Sequence, residues 1–528
     1  MVTKCVFHYS NNPGRIMIYL KLRNGVLFLL LIFLIVGLGA PDLISEETDS
    51  SLPVFLAHYM PWYQTPDVAG YWGWHWTMNY FNPRQTDENG RREIASHFYP
   101  LTGPYDSKDT DILEYQTLLM KISGIDGVLV DWYGMTDFRD YEILNESTQL
   151  LFNMLQKADL QFAIVYEDQT VMHMVNEGRV TASGAVQYGQ QVMSYLQDNW
   201  FQTNTYFKMN NQPLLLTFGP QYFTKSSDWE TMFSVLTEKP LFFTLDSKQA
   251  NVAAGAYPWP PMYKSNSSGI LTESALNSYL DQFYRNAESW DYLVTSVFPG
   301  FKDIYEEAGT GKSYGFLEAK DGRIFQLTMQ KAMEKNSDVI QLVTWNDYGE
   351  GTIIEPTEEF GYQYLEIVQN ARRQIDADFR FKAEDLKLPL QIFEIRKSHS
   401  GDSEMNTLLD FVFQLIISEN PDSAQALIDS VTAIGENGPN PVSFSLAQNF
   451  PNPFNPETRI EYYLSQPAQV EISVFNATGQ FVTRLVSEHQ KSGNHHVVWK
   501  AKGFGSGAYF YRLTAGDESI VRKCMKLN

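Results

Sequence analysis

Apolar and polar positions change period along this chain, and the changes divide it. Between about residues 48 and 380, short unbroken apolar runs alternate with stretches in which apolar residues recur every three or four positions. The runs read as strands: Val54–Tyr59, Gly127–Asp131, Gln161–Tyr166, Pro213–Thr217, Leu241–Thr244, a weak one at Gly255–Tyr257, Tyr292–Phe298 and Val339–Thr344. Between them, helical periodicity predicts Thr110–Ile122 with Asp109 as N-cap, then Ser147–Ala158, Val186–Asn199 and Phe325–Glu334. Strands that are apolar at every position belong to parallel sheets covered on both faces. Eight of them, interleaved with amphipathic helices, predict an α/β fold, a (β/α)8 TIM barrel.

The pattern then changes twice. Residues 381–442 read as a helical linker, with helices near Asn406–Ser418 and Ser423–Ile434 and a Gly/Pro-rich joint at Gly435–Pro441. In residues 443–528 the period falls to two. Thr458–Leu464, Val470–Phe475, Phe481–Val486, His495–Trp499, Ala508–Thr514 and Ser519–Lys526 alternate in and out, separated by Gly- or Asn-containing turns. That spacing predicts a small all-β sandwich. At the other end, an apolar run over residues 26–36 follows Lys4, Arg15, Lys21 and Arg23 and precedes Gly37 to Ala40. Residues 1–40 thus read as a secretory signal peptide, whose apolar run is short for a membrane span. Cleavage near Ala40 removes Cys5 and leaves Cys524 alone, so stability must come from a large core rather than from disulfides.

Charge sharpens this division. The formal net charge is -22, yet residues 1–23 carry +4 and residues 443–528 carry +3, so the central body holds -29. A body this acidic offers no basic surface for nucleic acid or an anionic membrane. Two cysteines exclude a Cys-rich zinc site, and no two of the nine histidines are three or four residues apart, so no helical metal-ligand pair exists. No metal and no cofactor are predicted. Aromatic residues make up 14% of the chain, enough to supply stacking faces for sugar rings as well as a core.

In a barrel of this kind, chemistry sits where the strands end. The first strand ends in His58, Tyr59 and Trp62. The second ends in Asp131, Trp132 and Tyr133, and the third in Glu167 and Asp168. The last ends in Trp345, Asn346, Asp347, Tyr348 and Glu350. A Gly/Trp-rich loop adds Trp72, Trp74 and Trp76. Carboxylates interleaved with indoles and phenols are what glycoside hydrolysis requires: acids to protonate the leaving oxygen and activate the attacking group, flat apolar faces to hold the sugar. Asp347 and Glu350, three apart among glycines, are the predicted catalytic pair. His58, Tyr59, Trp62, Trp74, Trp76, Asp131, Trp132, Tyr133, Glu167, Trp345, Asn346 and Tyr348 are the predicted substrate-binding set.

Whole stretches also resemble known families. Thr344-Trp-Asn-Asp-Tyr-Gly-Glu-Gly-Thr-Ile-Ile-Glu-Pro356 is similar to the signature of glycoside hydrolase family 99, the endo-α-1,2-mannosidases and mannanases, and to family 71, the α-1,3-glucanases. His58-Tyr-Met-Pro-Trp-Tyr63, Tyr99-Pro-Leu-Thr-Gly-Pro-Tyr-Asp-Ser107, Gly124-Ile-Asp-Gly-Val-Leu-Val-Asp-Trp-Tyr-Gly134 and Phe298-Pro-Gly300 extend the likeness over about residues 54–370. The resemblance implies a glycoside hydrolase acting on an α-linked polysaccharide or oligosaccharide. It places Glu350 as general acid/base. Asp347 takes the place of a family glutamate thought to deprotonate the sugar 2-hydroxyl and so form a 1,2-anhydro intermediate. Aspartate is one methylene shorter and leaves room for a water, as inverting chemistry requires. An α-1,3-glucanase-like inverting hydrolase and a non-catalytic glycan-binding surface protein are the alternatives. The segment Phe444-Ser-Leu-Ala-Gln-Asn-Phe-Pro-Asn-Pro-Phe-Asn-Pro-Glu-Thr458, with Val474–Gln480 and Gly507–Arg512, resembles the sorting domain of type IX secretion substrates. It implies the type IX machinery as partner and export through a Gram-negative outer membrane.

Overall fold

The computed structural model describes residues 52–335, 337–436, 444–464, 467–515 and 518–527. The expected signal peptide and the residues following Glu436 in the expected joint lie outside these. Eight parallel strands form the central sheet: β1 (Val54–Tyr59), β2 (Gly127–Trp132), β3 (Gln161–Tyr166), β4 (Gln212–Thr217), β5 (Leu241–Leu245), β6 (Gly255–Tyr257), β7 (Val294–Val297) and β8 (Val339–Leu342). Their order is β6-β5-β4-β3-β2-β1-β8-β7, so consecutive strands lie side by side and β8 returns to β1. The seam between β6 and β7 is close. A Cβ on Gly255 would come within 2.3 Å of the Tyr292 carbonyl. The sheet is a near-closed barrel.

The strands match the apolar runs because each is buried on both faces. Inward side chains fill the barrel, and outward ones meet the helices. The helices are α1 (Thr110–Ser123), α2 (Tyr141–Lys157), α3 (Gln169–Asn176), α4 (Ala185–Leu196), α5 (Ser226–Phe233), α6 (Glu273–Ala287), α7 (Arg323–Met333) and α8 (Gln363–Ile375). Asp109 caps α1 as expected, accepting from the Asp111 amide at 3.0 Å. Helix α2 begins six residues before the expected Ser147, because buried Tyr141 and Leu144 continue its apolar face. Helix α4 runs on through a wide turn at Gln197–Phe201 that buries Trp200 and Phe201. The connection from β5 to β6 has no helix.

Three further helices follow: α9 (Leu388–Ser398), α10 (Ser403–Ile417) and α11 (Pro421–Glu436). The first has no counterpart among the sequence-predicted helices. It packs on α1, and Arg396 forks onto Glu114 through Nε–Oε2 at 2.5 Å and Nη2–Oε1 at 2.8 Å. Leu388, Ile392, Leu409, Val412 and Ile428 join the barrel's own core cluster. The linker therefore packs as an extension of the barrel.

Seven antiparallel strands complete the chain: β9 (Phe444–Leu446), β10 (Glu457–Leu464), β11 (Ala468–Asn476), β12 (Phe481–Gln490), β13 (Gly493–Lys500), β14 (Gly507–Ala515) and β15 (Glu518–Lys526). They form two sheets, β9-β10-β13 and β12-β11-β14-β15. Strand β10 alternates between exposed and buried at every position, the period-two signature read from sequence. Between the sheets Trp499, Tyr511, Ile472 and Cys524 are buried. Phe510 turns outward and stacks on Phe411 of α10, with ring centroids 4.1 Å apart. Among the described residues no helix is long and apolar enough to cross a membrane.

Candidate active site

The loop after β8 is the framework of the site, and it is tied down from both neighbouring strands, β1 and β7. The Trp345 amide donates to the His58 carbonyl of β1 at 2.6 Å. Asn346 clamps the β1 end through its side chain, accepting from the Met60 amide at 2.8 Å and donating to the Met60 carbonyl at 3.0 Å. From the β7 side, the amides of Lys302 and Ile304 donate to the carbonyls of Glu350 and Gly349 at 2.9 and 3.0 Å. Gly351 makes that approach feasible: its φ is +67°, and a Cβ there would sit 2.7 Å from the Lys302 carbonyl oxygen. The motif's glycine spacing thus serves a close backbone contact that holds Glu350 in place.

Four acids converge above the barrel: Asp131 at the end of β2, Glu167 after β3, and Asp347 and Glu350 after β8. Asp131, Glu167 and Asp347 are buried, at 3%, 3% and 4% exposure, and Glu350 is half-buried, the most open of the four. Burial lifts all four carboxyls above the usual range, and repulsion within the group adds to it. Asp347 is pushed up to about 6 by burial, against amides of Glu350 and Gly349 that favour its charge. Glu350 is raised well above its usual value by burial, then by the charges of Asp347, Asp303 and Asp131. Asp131 is raised to about 8 by burial, with Asp347 adding to it and a hydrogen bond from Tyr133 opposing it. Glu167 is raised well above its usual value by burial and by Asp131, while Gln169 donates to it at 2.8 Å. Backbone hydrogen bonds thus support charge on Asp347, while burial and neighbouring acids favour the protonated form of Glu350. This split fits an acid and a base facing one bond.

Aromatic side chains enclose the acids. Tyr133 is bonded to Asp131 and lies 6.3 Å from Trp62, which stacks on His75 at 4.1 Å and 5°. His58 lies inside the barrel, 3.2 Å from Gln341 of β8 and edge-on to Trp259 at 4.8 Å. Burial drops its pKa to about 3, so it is neutral and no proton donor at ordinary pH. Its Nε2 and the Oδ1 of Asp131 are buried with no hydrogen-bond partner among the described residues. Trp74 stands on the rim, 39% exposed.

The other sequence-predicted binding residues face away from the acids. Tyr59 donates to Gln116 of α1 at 2.6 Å, on the outside of the barrel. Trp132 packs outward on Tyr195 and Trp200 and donates to Asn145 at 3.0 Å. Trp76 is fully buried against Tyr63 and bonded to the Tyr105 carbonyl at 2.7 Å, so it is core beneath the loop rather than an open wall. Trp345, Asn346 and Tyr348 are fully buried scaffold. Asp168 receives the amides of Gln221, Tyr222 and Phe223 at 2.8 Å each and anchors the loop after β4.

Three residues against His58 or the acids were absent from the sequence-predicted set. Trp259 follows β6, where the strand-end rule would have found it. Tyr257 ends that strand, its phenol raised by burial and then by Glu167 and Asp131. Tyr305 lies on the arm after β7, its phenol raised by burial and then by Glu350 and Asp347. No motif marks Tyr305. Among the described residues no group of His, Cys, Asp and Glu has metal-holding geometry.

Comparison with known proteins covers both parts of the chain. Residues 52–371 match the model of glycosyl hydrolase family 99, and residues 448–527 match the secretion system C-terminal sorting domain. The chain is 21% identical over 335 residues to a glycoprotein endo-alpha-1,2-mannosidase-like protein of Danio rerio, covering 56% of this chain and 69% of that one. It is 22% identical over 334 residues to the glycoprotein endo-alpha-1,2-mannosidase of Mus musculus, covering 57% and 67%. A solved family 99 endo-alpha-mannosidase from Bacteroides thetaiotaomicron aligns over 61% of this chain and 97% of its own, at 18% identity and a TM-score of 0.46.

Proposed function

The chain belongs to glycosyl hydrolase family 99 and carries a type IX sorting domain, and from that premise we propose that it is an exported endo-acting α-mannosidase using Glu350 and Asp347. Glycosidase activity and export through the outer membrane come with the two families. The sugar, the endo mode and the two roles are this proposal.

The observation that carries the roles is the opposed treatment of the pair. Burial and the charge of Asp347 favour the protonated form of Glu350, and it is the most open acid of the four. It donates its proton to the leaving oxygen. Asp347, fixed by the amides of Glu350 and Gly349, holds negative charge at a lower pH than Asp131. It withdraws a proton from the attacking group, and Glu350 then acts as base in the second step of a retaining route. Asp131 Oδ1 and His58 Nε2, unpartnered and buried, are offered to sugar hydroxyls, with Trp62 and Tyr133 as flanking faces.

A second route is favoured by one residue: aspartate stands where the family motif has glutamate. The shorter acid activates a water, and the anomeric centre inverts. Purified full-length protein is tested on yeast α-mannan, α-1,3-glucan and starch, with the product anomer followed by NMR. Turnover of mannan with internal cleavage supports the proposal. Turnover of glucan alone moves the substrate to the alternative, and binding without turnover in every case overturns the enzyme roles. A 2-deoxy substrate separates the routes, since the anhydro intermediate needs the 2-hydroxyl and water attack does not.

A further inference from the structure

The arm after β7 carries an aromatic step leading from the carboxylates to solvent. It leaves the barrel as a short antiparallel pair, Phe301–Lys302 with Phe316–Leu317. Tyr305 and Tyr314 stand between, their rings 5.6 Å apart and nearly perpendicular at 77°. Tyr305 is at the inner end. A Cβ built on Gly349 would lie 3.4 Å from Asp347 Oδ1 and 3.8 Å from the Tyr305 hydroxyl, so phenol and carboxylate flank the same point. Tyr314 is at the outer end, 61% exposed.

An exposed tyrosine on a loose loop would mean little, but this one is held. Asp303 accepts from the Tyr314 amide at 2.8 Å, from Ser313 Oγ at 2.9 Å and from the Tyr305 amide at 3.2 Å. One buried carboxylate thus fixes the backbone at both rings. Beyond Tyr314, the Phe316 amide donates to the Gly269 carbonyl at 2.7 Å and ties the arm to the loop after β6. The same arm sends the Lys302 and Ile304 amides to the carbonyls of Glu350 and Gly349. The ledge and the acid are therefore parts of one hydrogen-bonded unit, and a ring ordered in advance loses little entropy on binding.

The geometry points to Tyr314 as a platform for a sugar ring of the same chain lying beyond the cleaved linkage, which makes it a determinant of chain length. The inference rests on the mannosidase reading above. A pyranose presents an apolar C–H face, and an exposed, fixed phenol offers the matching surface. A short glycoside that ends at the acids does not reach the ledge.

The test compares Tyr314→Ala with the wild-type full chain on two substrates: α-mannan and an activated aryl mannobioside. Loss of one aromatic contact is expected to raise KM for the polymer on the order of 10-fold, with kcat kept. KM and kcat for the aryl mannobioside stay at wild-type values. Tyr314→Trp, which keeps a flat face, restores the polymer KM, a result a merely structural role would not give. An unchanged polymer KM, or an equal loss on both substrates, overturns the platform. Absence of wild-type turnover on both mannosides overturns instead the mannosidase reading, so the two failures are distinct.

Discussion

The loop after β8 separates a cluster of four acids from a single buried acid held under different conditions. On its inner face, Asp131, Glu167, Asp347 and Glu350 repel one another, and Asp131 Oδ1 has no partner. On its outer face, Glu355 is equally buried, at 2% exposure, yet it accepts from Gln116 Nε2 at 2.7 Å, Tyr105 Oη at 2.8 Å and Tyr348 Oη at 2.9 Å. Burial raises Glu355 to about 7 against these three donors. A buried polar group with all its partners serves the fold, and one without them is a cost that a stable protein retains for another purpose. Burial does not distinguish Asp131 from Glu355; the unpartnered Oδ1 of Asp131 does.

The largest expected effect is on the inner face. Glu350→Gln removes the proton donor, and kcat should fall on the order of 10²- to 10⁴-fold, as general acid catalysis allows. Substrates with good leaving groups should lose less, since they need less protonation. Asp347→Asn should stop both kinds of substrate, because the base is gone. Steady-state kinetics on an aryl mannoside and on mannan read both. Thermal unfolding should show both variants folded, since neither residue ties elements together by its carboxyl beyond the local Glu350 and Gly349 amides. Near wild-type turnover in both variants would remove the distinction between the faces.

Glu355→Ala tests the outer face. It leaves the donors of Gln116, Tyr105 and Tyr348 without their acceptor, and each buried orphan costs about 1–3 kcal/mol. A stability loss of about 3 kcal/mol by denaturant titration is expected, mostly as a lower midpoint. A loss under about 0.5 kcal/mol, the range of a neutral surface change, would deny Glu355 its structural role.

How much of this could be read from sequence follows from direction more than position. The strand-end rule brought Asp131, Glu167, Asp347 and Glu350 together from three strand ends, and they do converge. It failed where a one-residue step reverses the face. Asp131 points to the acids and Trp132 to α2; His58 points inward and Tyr59 to α1. Parity is visible in an alternating strand such as β10, but not in β1 or β2, which are buried on both faces. Asn346, Tyr348 and Trp76 were placed at the right loops, whose inward packing no periodicity reports. Tyr305 and Tyr314 sit on an irregular arm, where neither period nor motif gives a direction.

The smallest effect sharpens the comparison through pH. The Asp131 carboxyl is raised to about 8 in the folded protein, against about 3.9 for an unperturbed aspartate. The folded state therefore binds a proton that the unfolded state has released between these values. A group raised on folding favours the native state fully below its unfolded pKa, and that advantage is lost as pH rises through the folded pKa. Native stability should thus decline from about pH 4 towards pH 8, with a slope of at most about 1.4 kcal/mol per pH unit for one proton. Asp347, raised to about 6, adds to the lower part of that window. Asp131→Asn keeps the shape of the neutral acid and cannot ionise. Its stability should match the wild type near pH 4 and exceed it increasingly towards pH 8, so melting curves measured at unit steps of pH should diverge. Glu355→Gln should instead be less stable than the wild type already near pH 4, since its amide nitrogen replaces an oxygen that accepts from Gln116 or from Tyr105 and Tyr348. Parallel pH curves for Asp131→Asn and wild type would mean that Asp131 is charged and paired in the folded protein, and the inner face would then be no less satisfied than the outer.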